Sequence, residues 1–570
     1  MSRESDHAFK ADGEIASYPI LIIGAGISGI AAGCQVKRTL GVKDFVIFEK
    51  NNDIGGTWFT HRYPGVACDV PAILYSFSFA PNYNWSTLRP SGREIWKYLA
   101  DVCEQYHLSD NIHLNTEVTE LHWDEETLEW EVKFQRHPSL RKGTIRAKIV
   151  LTAVGKLVNP KTSEDILQDV HGVETFQGNV IHTSQWNESL DIRKKNVLVL
   201  GTGCSAAQIV PQLLGTDLGA DSVTQLMRSP PWVVPNHLSK KHIGWWERFM
   251  PSLTRNIPGF AQLVRATIFV ITETNYFRFI RPGVNARIRR AQKAKALLSH
   301  MKREVPSQYH QILTPHYEMG CKRLVHDDGW FHCLHDSRVE LSTLSLKSLG
   351  PKVGVLGDED EQITIPLDAI ILATGYDTST LLQPMRIIGR NRIDLHELWK
   401  RRGGPQAYMG VALDNFPNFF FLFGPNSSSG HTSVLVGIEN AVNYTLRVIG
   451  PIVKGWAEAY EVKEAACTNW TDIVQQSSRE RIWVNGGCGS WWVDETKWNG
   501  MVYPFSMLYA TYAATFPIWD DWVPTYTPEG VLQRNKRSST TLVTSVSLAI
   551  LMMCLYHVSW HEMTTVGLKA

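Results

Sequence analysis

The chain has 570 residues, 44% of them hydrophobic and 20% charged, enough for two or three cores of ordinary domain size. This composition excludes a largely disordered, collagenous or all-membrane chain. With 57 Lys and Arg against 56 Asp and Glu, net charge +1, no global field steers nucleic acid or an acidic partner, and a small molecule is the expected ligand.

Nine cysteines, at positions 34, 68, 103, 204, 321, 333, 467, 488 and 554, are odd in number and never spaced CxxC. That pattern argues against a disulfide framework, a zinc ribbon or a thioredoxin-type centre; no metal is expected, and a reducing compartment fits best.

Residues 1–17 form a polar extension without the basic flank and apolar stretch of a secretory signal. The apolar run 18–23 then meets Gly24-Ala-Gly26-Ile-Ser-Gly29, followed by a helical pattern from Ile30 and a second strand at 45–48 that ends in Glu49. This βαβ unit suits a dinucleotide: Gly24, Gly26 and Gly29 let a pyrophosphate approach the helix N-terminus, and the Glu49 carboxylate can accept from ribose hydroxyls.

A second copy starts at Asn196: VLVL leads into Gly201-Thr202-Gly203-Cys204-Ser205-Ala206, a helix containing Ala207 and Gln208, and a strand at 223–227. This strand ends in Arg228, which suits a ribose 2′-phosphate, so the second site is expected to prefer NADPH. An acid in the first unit and a base in the second suggest FAD first and NADPH second.

Between about 240 and 303 the chain is rich in Arg, Lys, Trp and Phe at helical spacing. This reads as a helical insertion that covers the site or touches a membrane, or as an amphipathic helix pair with a solvated basic face. The segments 367–376 (LDAIILATGY) and 419–424 (FFFLFG) read as returns of the chain to the first domain.

The expected class is therefore α/β, with two Rossmann-like dinucleotide-binding domains. The first part of the FAD domain covers 18–160, the NADPH domain with its insertion 161–365, and the second part of the FAD domain 366–530. Residues 531–570 form a basic linker and a candidate transmembrane anchor. From Thr541 to Val558, 13 of 18 residues are apolar and none is charged, and as a helix this stretch spans roughly 27 Å. Arg534, Lys536 and Arg537 precede it, which would keep the catalytic body in the cytosol, tail-anchored to an intracellular membrane such as the ER. The alternative is a helix packed on a domain surface.

Two further segments are too dense in Gly, Pro and aromatics for regular elements. The loop from Gly55 to Asp69 can lay amides and the face of Trp58 along a flat ring, although Asp69 could equally cap the loop. The segment from Phe176 to Trp186 holds His182, which has no acid nearby in sequence and is not expected to be a catalytic base.

These two segments resemble the fingerprints of type I Baeyer-Villiger monooxygenases, within the class B flavoprotein monooxygenases. The first matches at every specified position of A/G-G-x-W-x-x-x-x-F/Y-P-G/M-x-x-x-D. The second matches F-x-G-x-x-x-H-x-x-x-W but continues with Asn187 where the family has Pro or Asp, which keeps N- or S-oxygenation or hydroxylation open beside Baeyer-Villiger chemistry. Ala153-Val154-Gly155 departs similarly from an ATG-like linker. The likeness runs from about 18 to 525.

The resemblance implies FAD contacts at Gly56, Thr57, Trp58, Phe59, Thr60, Asp69, Val70, Tyr75 and Val118, beside the first glycine turn and Glu49. For NADP it implies Ala67, Cys68, Asp69, Gly201 to Gln208, Arg228, Ser229 and Lys322, with Trp491 on a mobile loop closing over nicotinamide and substrate. It also implies that NADPH reduces FAD, that a C4a-peroxyflavin attacks a ketone carbonyl, and that an ester or lactone results. Arg323 is then the catalytic cation that stabilises the peroxide anion, and Asp69 orients it.

The stretch 497–522 is similar to fungal monooxygenases of secondary metabolism, implying a bulky polyketide or terpenoid ketone, which the 20 Trp, 18 Tyr and 21 Phe permit. A disulfide reductase would need CxxxxC after the first glycines, where only Cys68 is near. A membrane-attached cofactor-binding protein without turnover is the non-enzyme alternative.

Overall fold

The computed structural model describes residues 15–235, 240–358 and 361–537. Among these, two sheets organise the molecule, the first mixed, with Thr116–Asp124, Glu129–Arg136 and Arg141–Thr152 antiparallel, and the second parallel. In the first, the hydrogen-bonded order is Arg386–Ile388, Thr116–Asp124, Glu129–Arg136, Arg141–Thr152, Ser17–Ile23, Val46–Phe48 and Ile112–His113, and Phe419–Phe421 pairs with Arg141–Thr152. Ile23 lies opposite Phe48 on one side and Thr152 on the other, and Phe421 opposite Thr152, all in parallel register. Parallel strands covered on both faces read as continuous apolar runs; Ile20, Leu21, Ile22, Phe419, Phe420 and Phe421 are accordingly almost fully buried.

The second sheet has the order Val339–Ser342, Ser222–Leu226, Asn196–Leu200, Ala369–Leu372 and Asn179–His182. A three-stranded antiparallel sheet, Ser345–Gly350, Val353–Gly357 and Gln362–Pro366, lies between its last crossovers in sequence. The strand Ala369–Leu372, expected to return the chain to the first sheet, instead lies in the second, between Asn196–Leu200 and Asn179–His182. Its register against Asn196–Leu200 buries all four of its residues, and periodicity alone cannot tell which sheet a buried apolar strand completes. The chain rejoins the first sheet only at Arg386–Ile388 and Phe419–Phe421.

Each sheet carries the same device at the carboxyl edge of its first strand. Gly24 has φ +105° and a Cβ there would stand 2.8 Å from the Ala153 carbonyl oxygen; Gly201 has φ +116° and a Cβ would stand 2.6 Å from the Ala373 oxygen. Both turns are thus pressed against the neighbouring parallel strand's exit, the crevice where α/β sheets bind ligands. The helices Ile27–Gln35 and Cys204–Leu213 follow directly.

The insertion folds as three helices, Lys240–Asn256, Phe260–Asn275 and Val284–Glu304, rather than a pair. It reaches across to the first domain. Arg265 donates to the carbonyls of Ile73 (2.9 Å) and Ser76 (2.6 Å) and pairs with Glu439 at 3.3 Å. His431 and Glu273, both buried, meet at 2.6 Å. No helix among the described residues is long and apolar enough to cross a membrane; the candidate anchor at 541–558 lies outside them.

One disulfide, Cys321–Cys488, joins residues 167 apart in sequence, a single cross-link where the cysteine pattern argued against a disulfide framework. Spacing rules detect pairs close in sequence, whereas this pair is brought together by tertiary folding. The other described cysteines are free.

A Cβ on Gly29 would stand 1.8 Å from the Gly24 oxygen, whereas one on Gly203 meets nothing within 4 Å. Gly29→Ala is therefore expected to lower the thermal midpoint by several degrees, a loss of at least about 1–3 kcal/mol. Gly203→Ala should leave the ligand-free midpoint within about a degree and instead weaken NADPH binding, because its added methyl points only at ligand space. Calorimetry and NADPH titration of the two variants check this.

Candidate active site

The fingerprint loop is built against the first glycine turn. Gly55 donates its N–H to the Ala25 carbonyl at 2.9 Å, and a Cβ on Gly56, at φ +54°, would stand 3.0 Å from the Gly26 Cα. One short helical turn, Thr57–Thr60, follows. Trp58 donates from Nε1 to the Tyr75 hydroxyl at 3.1 Å, with the rings edge to face at 5.5 Å. Beyond it the chain runs alongside residues 88–92: Cys68 donates to the Pro90 carbonyl, Ala72 to that of Leu88, and Ala67 bridges to Ser91. Asp69 sits in this doubly anchored stretch. Val70 donates its N–H to Cys68 Sγ, and Val118 is buried in the first core.

Glu49 is buried at the end of its strand. One carboxylate oxygen accepts from the Ala25 N–H at 2.7 Å and the other from the Asn51 backbone and side-chain amides at 2.9 and 2.6 Å. It therefore braces the glycine turn, and its spare lone pairs are what a ribose could use.

The second unit joins this loop through Tyr63. Its hydroxyl donates to Gln208 Oε1 at 2.8 Å and lies 3.3 Å from the Ser205 hydroxyl, while Gln208 Nε2 donates to the Ala67 carbonyl at 3.0 Å. Gly65, at φ +81°, lets the loop pass where a Cβ would stand 2.6 Å from the Gln208 carbonyl oxygen. Helix Cys204–Leu213 is thus locked to the loop that carries Asp69.

Two short strands, Val233–Pro235 and Val325–Asp327, pair in parallel. This pairing aligns what precedes each: Arg228-Ser229 before one, Cys321-Lys322-Arg323 before the other. Lys322 Nζ donates to the Ser229 hydroxyl at 2.9 Å and lies 5.0 Å from the Tyr317 ring centre. Burial, and then the charge of Arg228, push the Lys322 pKa down. Among the described residues neither cation has a carboxylate within ion-pair distance. A lysine and an arginine held together without counter-charge fit the 2′-phosphate of NADPH.

Arg323 crosses to the first domain. Its Nε donates to Asp69 Oδ2 at 3.0 Å, and its terminal NH2 donates to the same oxygen. The Asp69 charge pushes Arg323 further into its charged form. Burial raises the Asp69 pKa, but the charge and hydrogen bonds of Arg323 outweigh it and hold the carboxyl below its usual range. Half of the Arg323 side-chain surface remains accessible, against 24% for Asp69, so the guanidinium keeps donors for a ligand while the carboxylate fixes its orientation.

Further polar side chains take up positions around these groups. His61 and Tyr376 meet at 2.8 Å between Nε2 and the hydroxyl, and His61 Nδ1 lies 2.9 Å from the Thr57 carbonyl. A carbonyl only accepts, so Nδ1 carries the proton and Nε2 accepts from Tyr376. Burial lowers the His61 pKa, consistent with this neutral form. His182 has both ring nitrogens engaged, with Ser184 and the Gly375 carbonyl. Lys156, just after the interdomain linker, is buried, donates to Ser428 Oγ at 3.2 Å and the Met501 carbonyl at 3.0 Å, and lies over Phe423. Burial drives its pKa well down. Its position after Gly155 was the only hint in the sequence. Asn187 accepts from the Ser189 N–H and hydroxyl, a local turn that accounts for the side chain without any ligand.

The geometry fits both nucleotides: two glycine turns that a Cβ would fill, an uncompensated cation pair at one, and a carboxylate-held arginine between them. Comparison with known proteins agrees. A family model described as pyridine nucleotide-disulphide oxidoreductase matches residues 21–266. A Baeyer-Villiger monooxygenase of Streptomyces coelicolor is 32% identical over 490 residues, covering 85% of this chain and 88% of that protein. The FAD-binding monooxygenase ktnD of Aspergillus niger is 32% identical over 485 residues, covering 83% and 76%. Among solved structures, an oxidised steroid monooxygenase bound to NADP shares the fold, with TM-score 0.74 at 24% identity over 90% of this chain and all of that one.

Removing Lys322 as Lys322→Ala should raise the KM for NADPH by about 10- to 100-fold, the equivalent of a charge-assisted phosphate contact. kcat should change less than threefold and the KM for NADH should barely move, because NADH lacks the 2′-phosphate. Steady-state kinetics with both nucleotides tests the assignment; equal effects on both would remove Lys322 from the phosphate site.

Proposed function

The chain belongs to the Baeyer-Villiger family of FAD- and NADPH-dependent monooxygenases, and from that premise we propose that it inserts one oxygen atom of O2 beside a ketone carbonyl, giving an ester or lactone. The observation that carries this reading is the Asp69–Arg323 pair. Bound FAD and NADPH would supply the redox chemistry, reduction by hydride and activation of dioxygen for transfer of one oxygen atom. The chain's own residues set the field in which that happens. Arg323 offers a permanent positive charge whose direction Asp69 fixes, and a charge already oriented costs no reorganisation when negative charge develops nearby. Asp69 itself stays ionised and moves no proton. Tyr63, Gln208 and Ala67 keep the two nucleotide units in register, so that a nicotinamide on the second can face a flavin on the first.

N- or S-oxygenation and hydroxylation remain second to this reading. The feature that favoured them was Asn187, and its side chain is engaged in a turn. A bulky apolar ketone of polyketide or terpenoid type, in fungal secondary metabolism, is the substrate class we favour, with the Aspergillus relative in support.

A peripheral membrane contact is part of the same proposal. On helix Phe260–Asn275 the side chains of Leu263, Val270 and Ile271 are 63, 55 and 58% exposed, and Tyr512, Phe516 and Trp519 are about half exposed. Helices with an uncovered apolar stripe beside arginines such as Arg278 and Arg281 bind anionic bilayers at the interface. Val270→Glu/Ile271→Glu in the full chain should reduce co-sedimentation with phosphatidylcholine–phosphatidylserine vesicles at least fivefold; unchanged co-sedimentation would dismiss the contact.

Arg323→Ala should keep FAD and its reduction by NADPH within a few-fold of wild type, yet lose about 10²- to 10³-fold in ester formation. Product analysis by mass spectrometry with a cyclic ketone, alongside the rate of NADPH oxidation, checks this. Ester formation at the wild-type rate would remove Arg323 from the chemistry.

A further inference from the structure

We propose that the Cys321–Cys488 disulfide is a positioning element for NADP(H): it ties the loop bearing Trp491 to the segment bearing Lys322 and Arg323, and its reduction loosens nucleotide binding. This rests on the reading that Trp491 closes over the nicotinamide.

The location of the bond carries the inference. Cys321 is directly before Lys322 and Arg323, fully buried, while Cys488 is half-buried and three residues before Trp491. Between residues 486 and 491 there are few other ties. Glu318 donates its N–H to the Gly486 carbonyl at 2.9 Å, and Thr378 donates its hydroxyl to the Trp491 carbonyl at 3.1 Å. Gly487, at φ +78°, and Gly489 are exposed, and a Cβ at either would meet nothing within 4 Å. The Trp491 side chain is 39% exposed. Between the buried Gly486 and Ser490, residues 487–489 include two exposed glycines and open easily on their own, so the covalent bond at Cys488 is what ties them to Cys321.

The packing around the cystine is shaped to receive it. A Cβ on Gly486 would stand 2.8 Å from both Cβ and Sγ of Cys321, so the loop's first glycine lets the backbone lie directly on the sulfur. Trp483, Trp492, Met501 and Val502 enclose the other sides. Cys321 Sγ is thereby shielded, and Cys488 Sγ is the atom an external thiol reaches.

The chemical step is thiol–disulfide exchange. A thiolate such as that of glutathione attacks Cys488 Sγ and releases the Cys321 thiolate, which takes up a proton; a second thiol then attacks the mixed disulfide. The protein disulfide gains two electrons and two protons, two external thiols become one external disulfide, and the reverse reaction with glutathione disulfide restores the bond. In the reduced chain the loop samples open arrangements, and the apparent affinity for NADP+ falls by the fraction of time the loop is in place.

The experiment uses the full-length FAD-loaded enzyme, oxidised with glutathione disulfide or reduced with tris(2-carboxyethyl)phosphine. Thiols are counted after denaturation, NADP+ affinity is measured by fluorescence titration, and cleavage within 486–491 is followed by limited proteolysis. We expect reduction to expose two additional thiols, raise the NADP+ Kd by about 10-fold and accelerate cleavage. Cys488→Ser should match the reduced enzyme from the outset and ignore the reductant. No change in thiol number, a Kd unmoved when both thiols appear, or an equal reductant effect in Cys488→Ser would each overturn the proposal. The reductant titration of wild type decides alone if that variant does not hold FAD. Trp491→Ala is the separate check: wild-type NADP+ affinity in its oxidised form would overturn the reading of Trp491 instead.

Discussion

The contact on which the site depends is the ion pair between Asp69 and Arg323. Its partners come from different nucleotide-binding units, 254 residues apart, and each is held by backbone structure rather than by a side chain that could swing away. Asp69 is fixed because its strand-like stretch is hydrogen-bonded along residues 88–92, and Arg323 because the next strand pairs with Val233–Pro235. Neither unit by itself provides an oriented guanidinium; the pair forms only where the two units dock. Tyr63, Gln208 and Gly65 supply that docking, with Gly65 allowing an approach that any side chain would prevent.

The same strand pairing that places Arg323 also assembles the phosphate site. Two parallel strands of three residues align the chain before them, and Lys322 thereby meets Ser229 next to Arg228. The consequence is electrostatic: two cations share a place without an anion, and burial together with the charge of Arg228 lowers the Lys322 pKa. A dianionic phosphate placed there would relieve it, the reason the pair is proposed to favour NADPH over NADH. The disulfide continues this logic, since it begins at the residue before Lys322 and ends in the loop of Trp491.

Several buried histidines around these residues are hydrogen-bonded. His182 and His61 use their ring nitrogens to join loop to linker, and His431 with Glu273 joins the insertion to the first domain. Satisfied hydrogen bonds of this kind contribute rigidity more than net stability.

The sequence by itself determined the two glycine turns, the strands that lead into them, the acid and base that end the following strands, and the loop holding Asp69. Those features are local: a positive φ, a close backbone approach or a strand end is written within a few residues of where it acts. Tertiary structure alone decided the rest. The strand Ala369–Leu372 could belong to either sheet until its register with Asn196–Leu200 placed it in the second. Cys321 and Cys488, Tyr376 and His61, and Lys156 and Met501 are partners only because chain segments 167, 315 and 345 residues apart fold to the same crevice. An amphipathic or apolar pattern states that a residue is buried but not against what, and the identity of the neighbour is what turned a scattered cysteine into half of a cross-link and a lysine into a buried donor.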